Sequence, residues 1–476
     1  MFDSYTKLSV QSKAAIWFAI CTVLQKGISF ITVPLFTRLL TAEEYGTYSL
    51  YLSWFQIMTM ITSLYLYFGV FNNGMNKYDN NRDVYISSMQ GLTLTITLCV
   101  FVVYLIGKQV WNNLFGLSDT LILMMFVALL VNPSIHFWSG RQRFEFKYKT
   151  LVAVTLGKSI ANPLLGFILV ILSDDKSTAR IISVVIVELA FSGFFMIYQF
   201  LRGKCFFHRY YWKYALGLAV PLVPHYLSTI ILVQGDRVMI DHMAGKSEVA
   251  FYSVAYSVGM LVQIVTSAIT HSFTPWMYQN IKANSISDIK CTVNMLLLIT
   301  ASLSLMMMMC SPEIVMIFGP SEYSSAEYVI PPVAASVFFI FLYNILAIPQ
   351  FYFERTRFLA VSSIIATVLN IVLNYIFISL FGYVAAGYTT LACYVMYSIG
   401  HYYVSKRVLF QSPLKNLLFD QKFILILSLF IIFIGISCNF VFDYWIVRYS
   451  ILILACVFVY MKRNELKRIL NGFPAR

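Results

Sequence analysis

Charge is what this chain has least of. Only 12% of its 476 residues are Asp, Glu, Lys or Arg, about half the share usual in soluble domains. The shortage excludes a soluble fold: 59% of residues are hydrophobic and mean hydropathy is +0.75, more apolar surface than an interior of this size can hide. Long hydrophilic connections are missing too, so no separate soluble domain is expected. There is no Cys-x-x-Cys pair. The eight Cys are scattered, mostly within apolar segments, and read as small hydrophobes. No Walker A, His-Glu-x-x-His or Gly-x-Ser-x-Gly sequence occurs, nor a His/Cys cluster. The usual signatures of ATP hydrolysis, metalloprotease and serine-hydrolase chemistry are therefore absent. No catalytic residue, metal site or cofactor is expected. Short alternating segments of the β-barrel kind do not appear either.

What is present is a succession of apolar segments long enough to cross a bilayer core of about 30 Å as helices. Fourteen spans are expected, beginning near Ala14, Tyr45, Tyr85, Asp119, Thr150, Ile181, Tyr214, Val249, Cys291, Tyr328, Leu359, Ala386, Phe423 and Tyr444. The first follows Lys7 and Lys13, continues apolar to Phe36 and lacks a small-residue cleavage site, so it reads as an uncleaved span. Of the 34 Lys and Arg, 25 fall on one side, 16 of them in "GRQRFEFKYK", "LRGKCFFHRYYWK", "FERTRF", "SKRV" and "MKRNELKR". By the positive-inside rule both termini face the cytoplasm. The formal charge of +13 thus reports topology, and no nucleic-acid partner is expected.

Two stretches recur. Sliding "AEEYGTYSLYLS" by 204 residues lays Glu44 on Glu248, Tyr48 on Tyr252, Ser49 on Ser253 and Ser53 on Ser257. At an offset of 208, "KYKTLVAVTLGKSIAN" lies over "ERTRFLAVSSIIATVLN", with Lys147 on Arg355, Lys149 on Arg357 and Asn162 on Asn370. Matches at nearly one offset, in segments with the same topological part, suggest a duplicated six-helix unit. An even number of helices makes the copies parallel repeats, with a substrate site expected between them at mid-membrane. The expected organisation is a first lobe at 1–201, a cytoplasmic linker at 202–213, a second lobe at 214–404, and a linker at 405–421. Two appended spans at 422–461 and a basic tail at 462–476 complete it.

Charges inside the membrane are the candidate functional residues, since each costs about 2.5–3.5 kcal/mol at the bilayer centre and usually faces a cavity or a partner. Lys26 and Lys158 are deep and basic, and suit a hydrated cavity that accepts anionic groups. The alternative is that one of them pairs with Glu188 in span 6; snorkelling is a third reading. Arg448 lies near the outer end of span 14, where snorkelling fits better. Asp236 and Arg237 adjoin in "QGDR", about 100° apart on a helix, so they do not simply neutralise each other. Arg237 offers the fixed donors that suit phosphate; Asp236 could hold it or carry a proton; an ordinary polar helix end is the bland alternative. Arg38 at the end of span 1 has the same ambiguity. His225 sits in "PLVPH", where Pro221 and Pro224 should interrupt the helix. Asp236, Glu188, His225 and His271 are the candidates for coupling to a proton or sodium ion, the two histidines otherwise being packing residues. Asn370 and Asn374 share a helix face and read as helix–helix glue.

Four stretches, "VPLFTRLLTAEEYGTYS", "PLVPHYLSTIILVQGDRVMI", "GPSEYSSAEYVIPPVAAS" and "VLNIVLNYIFISLFGYVAAGYTTLACYV", together resemble the polysaccharide-transport family of O-antigen and capsule flippases. These belong to the multidrug/oligosaccharidyl-lipid/polysaccharide (MOP) exporter superfamily. The likeness covers spans 1–12, and spans 13 and 14 fit fourteen-helix members. It implies an all-α polytopic membrane protein whose two six-helix lobes form a MATE-like V, with two extra C-terminal helices. It also implies a bacterial inner-membrane location and a substrate of undecaprenyl-diphosphate-linked oligosaccharide, moved from the cytoplasmic to the periplasmic leaflet. Implied partners are membrane lipid, a polysaccharide polymerase and chain-length machinery. Lys26, Lys158 and Arg237 are the positions that fit the family's cationic cavity. A cation-coupled multidrug antiporter of the same superfamily is the runner-up, but spans 1–5 carry no deep acid. A membrane polymerase or ligase would be expected to place Arg or His in a long outer loop, and Ser311–Glu327 has neither.

Overall fold

The computed structural model describes residues 9–355, 357–412 and 418–461. The basic tail expected at 462–476 lies outside them, as do residues 413–417 of the expected second linker. The described residues contain helices and turns and no strand. They form two compact units that divide after Ala250.

The first unit holds α1 (Val10–Leu39), α2 (Ala42–Ser63), α3 (Gly69–Lys77), α4 (Arg82–Ile106), α5 (Lys108–Phe115) and α6 (Asp119–Phe144). It continues with α7 (Tyr148–Leu172), α8 (Lys176–Glu188), α9 (Phe194–Gly203), α10 (Arg209–Ala219) and α11 (Val223–Met243). Helix α12 (Lys246–Gly259) crosses the division. The second unit has α13 (Leu261–Lys282), α14 (Ile286–Met309), α15 (Ser311–Phe318), α16 (Ile330–Tyr352) and α17 (Arg357–Phe381). Helices α18 (Ala385–Gln411), α19 (Gln421–Ser437) and α20 (Trp445–Met461) complete it.

Among the described residues eleven segments are long and apolar enough to cross a membrane, against fourteen expected. The three remaining expected spans do form helices: α2, α18 and α20. Helix α2 is rich in hydroxyls and begins with two glutamates. Helix α18 carries His401, Lys406 and Arg407. Helix α20 has 17 residues, the short limit for a span.

Prolines shape the spans. Pro34, Pro133, Pro163, Pro275 and Pro349 lie inside α1, α6, α7, α13 and α16. The interruption expected at Pro221 and Pro224 is a 3-10 turn, Val220–Leu222, between α10 and α11. A break with no proline follows Glu188: residues Leu189–Gly193 form a π-helical turn before α9 resumes.

In the first unit α1 packs on α7, α7 on α8, and α2 on both α6 and α11. Its apolar core gathers Phe71, Tyr85, Met89 and Phe137 with Tyr211 and Ala215 of α10. The echo "AEEYGTYS" has a structural role here. Thr41 and Glu44 form a reciprocal capping box, the Thr41 amide donating to Glu44 Oε2 at 2.8 Å and the Glu44 amide to Thr41 Oγ1 at 3.3 Å, satisfying two amides that a helix start leaves orphaned. Gly46, one turn on, lies under the Lys246 backbone, where an added Cβ would sit 1.8 Å from the carbonyl oxygen. Gly46→Ala is therefore expected to part α2 from Lys246 and destabilise the first unit by about 1–3 kcal/mol, as overpacking does; a thermal melt in detergent checks it.

In the second unit α16 is the central helix, buried over 89% of its most apolar stretch and packed by α13, α14, α18 and α19. Asn370 and Asn374 of α17 bridge to α18. Asn370 Nδ2 donates to Thr390 Oγ1 at 3.4 Å, Asn374 Nδ2 to Asn370 Oδ1 at 3.2 Å, and Thr389 Oγ1 to Asn374 Oδ1. Asn162, aligned with Asn370 in the internal match, also bridges to the helix that follows its own.

Candidate functional site

Lys26, Lys158 and Glu188, three of the intramembrane charges of the first unit, lie on α1, α7 and α8, of which α7 packs on both others. Helices α7 and α8 are antiparallel neighbours, and two polar rungs join them. Lys158 Nζ stands 2.7 Å from Glu188 Oε2. One turn further along α7, Asn162 Oδ1 accepts from Arg180 Nη2 at 2.8 Å. Glu188 is 4% exposed. Its Oε1 accepts from Asn132 Nδ2 of α6 at 2.9 Å and from Ser192 Oγ of the π turn at 2.5 Å. The carboxylate thus has three donors, as a charge at that depth requires. The π turn brings Ser192 back onto Glu188, a local distortion often found at functional sites.

Helix α1 is placed by Gln25, whose Nε2 donates to Ser159 Oγ at 3.2 Å. Lys26 and Lys158, each a chain neighbour of one bonded partner, therefore occupy the same level. Their surroundings differ. Lys26 is exposed and joins no ion pair among the described residues. It shares a helix face with exposed Thr22 and Ser29, whereas exposed Ile20, Leu24 and Ile31 occupy the opposite side. A polar stripe set apart from an apolar one is the pattern of a helix with one face to water and one to lipid.

The "QGDR" stretch lies within α11, one and a half turns before its end, and faces α2. Ser53 Oγ donates to Gln234 Oε1 at 3.2 Å, and Gln234 Nε2 donates to Gln56 Oε1 at 2.9 Å. Arg237 Nη1 donates to Gln234 Oε1 at 3.3 Å and to the Val233 carbonyl at 3.1 Å. Asp236 and Arg237 are both buried, at 0% and 8% exposure, and Gln56 and Gln234 were not among the expected polar groups. The structure does not bring Arg237 into contact with Lys26 or Lys158.

The other candidates stand apart. His225 is partly buried in the first turn of α11 beside Tyr226, ring centroids 5.5 Å apart. Arg38 is exposed and donates to the Pro34 carbonyl at 3.1 Å. In the second unit His271 is exposed on α13. Arg448, expected to snorkel, is instead 5% exposed; its Nη1 donates to Glu313 Oε2 at 2.7 Å and to the Met309 carbonyl at 2.8 Å. Tyr449 OH donates a second bond to Glu313, to Oε1 at 3.0 Å, so α20 is clamped to the α14–α15 corner. Desolvation pushes the Glu313 carboxyl up, but the Arg448 and Tyr449 hydrogen bonds outweigh it and hold it below its ordinary value. A depressed carboxyl stabilises above the usual carboxylate range, near 4.3, and ceases to as pH falls through its folded value. The melting gap between the wild type and Glu313→Gln is expected to be constant from about pH 7 to 5 and to close below about 4.

Arg180 was missed. The sequence began span 6 at Ile181 and left Arg180 in the outer connection, yet it is 4% exposed. It donates to Ser183 Oγ (2.7 Å), Tyr48 OH (2.9 Å) and Asn162, and lies 4.2 Å from the Phe36 ring centroid. No carboxylate pairs with it among the described residues. Only the α7–α8 register, once Lys158 and Glu188 are paired, points to it. Among the described residues no group of three or more His, Cys, Asp or Glu is arranged to hold a metal.

The fold defines a class. The structure is similar to the lipid II flippase MurJ in an inward closed conformation, with a TM-score of 0.68 over 95% of this chain and 100% of that one at 14% identity. It is also similar to an inward-facing multidrug-resistance MATE transporter of the MOP superfamily, with a TM-score of 0.60 over 83% of this chain and 98% of that one at 13% identity. The architecture is thus that of the MOP superfamily's helical flippases and transporters. The chain belongs to the polysaccharide biosynthesis protein family, which it matches over residues 12–281; the MatE family matches residues 221–376. A protein of the Lsg locus of Haemophilus influenzae is 18% identical over 368 residues, 75% of this chain and 89% of that one.

Proposed function

We propose that the chain is a flippase for undecaprenyl-diphosphate-linked oligosaccharide, moving it by alternating access from the cytoplasmic to the periplasmic leaflet of a bacterial inner membrane. The observation that carries the reading is Lys26: an exposed cation midway along a membrane helix, level with Lys158, in a member of the polysaccharide biosynthesis family. In this reading the diphosphate meets Lys26 first and Lys158 second. Arg237 joins when Gln234, which it now contacts, gives way. The sugars occupy water, and the prenyl tail stays in lipid along spans 13 and 14. Basic groups offset the cost of bringing an anion to that depth. With both termini cytoplasmic and the inside negative, outward passage of one negative charge gains about 2.3 kcal/mol per 100 mV. A polymerase and chain-length machinery would act on the product.

The test is the leaflet distribution of lipid-linked oligosaccharide in spheroplasts, probed with a membrane-impermeant sugar-modifying reagent. Loss of the chain is expected to trap the repeat unit on the inner leaflet. Unchanged outer exposure contradicts the reading, and cation efflux then becomes the activity to assay.

A further inference from the structure

We propose that Glu188 is a proton site linked to anion binding: when a diphosphate takes Lys158, the carboxylate left behind takes up one proton from solution. The inference rests on the reading that Lys158 is a diphosphate ligand, and says what that reading demands of the pair.

The two partners are unequally accessible. The Lys158 side chain is 25% exposed and that of Glu188 6%, so an anion can reach the ammonium while the carboxylate stays buried. Lys158 therefore has two competing anions, one fixed and one mobile. Glu188 Oε1 keeps its donors, Asn132 and Ser192, whichever anion wins. Both are neutral. Among the described residues Lys158 is the cation on Oε2, and a buried carboxylate that loses its cation neutralises rather than remain charged.

No neighbour is placed to replace Lys158. Helices α6, α7 and α2 and the π turn pack against α8. From α6, His136 is within electrostatic range of both Glu188 and Lys158, but its ring stacks on Tyr67 with centroids 4.4 Å apart. Arg143, further along α6, is within electrostatic range of His136. From α2, Tyr51 is within range of Glu188, and its neutral hydroxyl is buried without a hydrogen-bond partner. On α8 itself Arg180 is two turns away and bonded to Ser183, Tyr48 and Asn162. The anion and the proton consequently bind together, and the loaded protein carries one negative charge fewer than the ligand brought.

The test uses the full chain in lipid nanodiscs with geranylgeranyl diphosphate as probe. Calorimetric titrations at about pH 8, where the diphosphate is already fully ionised, are run in two buffers of different ionisation heat to count protons taken up. The wild type is expected to take up about one proton per ligand, with Kd rising about tenfold per pH unit over the range where one proton is linked. Glu188→Gln is expected to take up none and to bind with a Kd that no longer follows pH. Lys158-dependent binding with no proton uptake overturns this inference and leaves the diphosphate reading standing. Uptake that persists in Glu188→Gln also overturns it, and moves the proton to another group such as His136. Binding that is absent removes the diphosphate reading and this inference with it; binding unchanged in Lys158→Gln removes Lys158 from the site and overturns this inference. The wild-type count needs no variant, so the inference is decided even if Glu188→Gln does not fold.

Discussion

Lys158→Ala is expected to destabilise the first unit by about 3 kcal/mol, the scale of breaking a buried pair by removing one partner. Protonating an ordinary Glu at pH 7 costs about 3.7 kcal/mol, and neutralisation of Glu188 caps the loss near that value. The pair Lys158→Met with Glu188→Leu is expected to recover most of the lost stability, because apolar residues of similar volume commonly replace a buried ion pair at little cost. Transport is expected not to recover, since the double variant has no ammonium to meet a phosphate. Melting temperature and transport rate measured on the same three proteins separate the two roles. A stable, active double variant would make the pair purely structural; an unstable one would show that Asn132 and Ser192, left facing an apolar side chain, matter more than the charges.

Lys26→Ala should do the reverse. Lys26 is exposed and joins no ion pair among the described residues, so stability should change by less than about 0.5 kcal/mol. A hydrogen bond to a charged group contributes about 1.5–3 kcal/mol, which predicts a fall in transport of roughly 10- to 150-fold, with partial recovery in Lys26→Arg. Transport at the wild-type rate would remove Lys26 from the site.

Much of the fold was legible because a bilayer imposes its length on apolar segments. Helices α2 and α18, expected as spans, do form helices but are not among the segments long and apolar enough to cross a membrane. What could not be read was pairing. Lys158 read first as a cavity residue, with pairing to Glu188 as the alternative, because sequence does not say which faces of α7 and α8 meet; the structure places the two ends 2.7 Å apart. Arg448 looked like a snorkelling residue because Glu313 lies over 130 positions away and finds it only through packing. The π turn after Glu188 left no Pro to announce it. Arg180 was misplaced by one residue at a span boundary, where end positions are least certain. The α1–α7 register is marked by the Gln25–Ser159 bond and the Trp17–Tyr148 ring stack, between residues no motif would mark.

The account's central claim is that cations of the first unit carry a diphosphate-linked lipid across the membrane. The most direct test is flipping in proteoliposomes loaded with a polyprenyl-diphosphate oligosaccharide on the inner leaflet. Its appearance outside is followed with a sugar-specific, membrane-impermeant reagent. The account predicts exposure that depends on the protein, is lost in Lys26→Ala, and is inhibited by an excess of short-chain prenyl diphosphate but not by the free sugar. Exposure at the same rate in empty liposomes or in Lys26→Ala, or inhibition by the sugar alone, would contradict it.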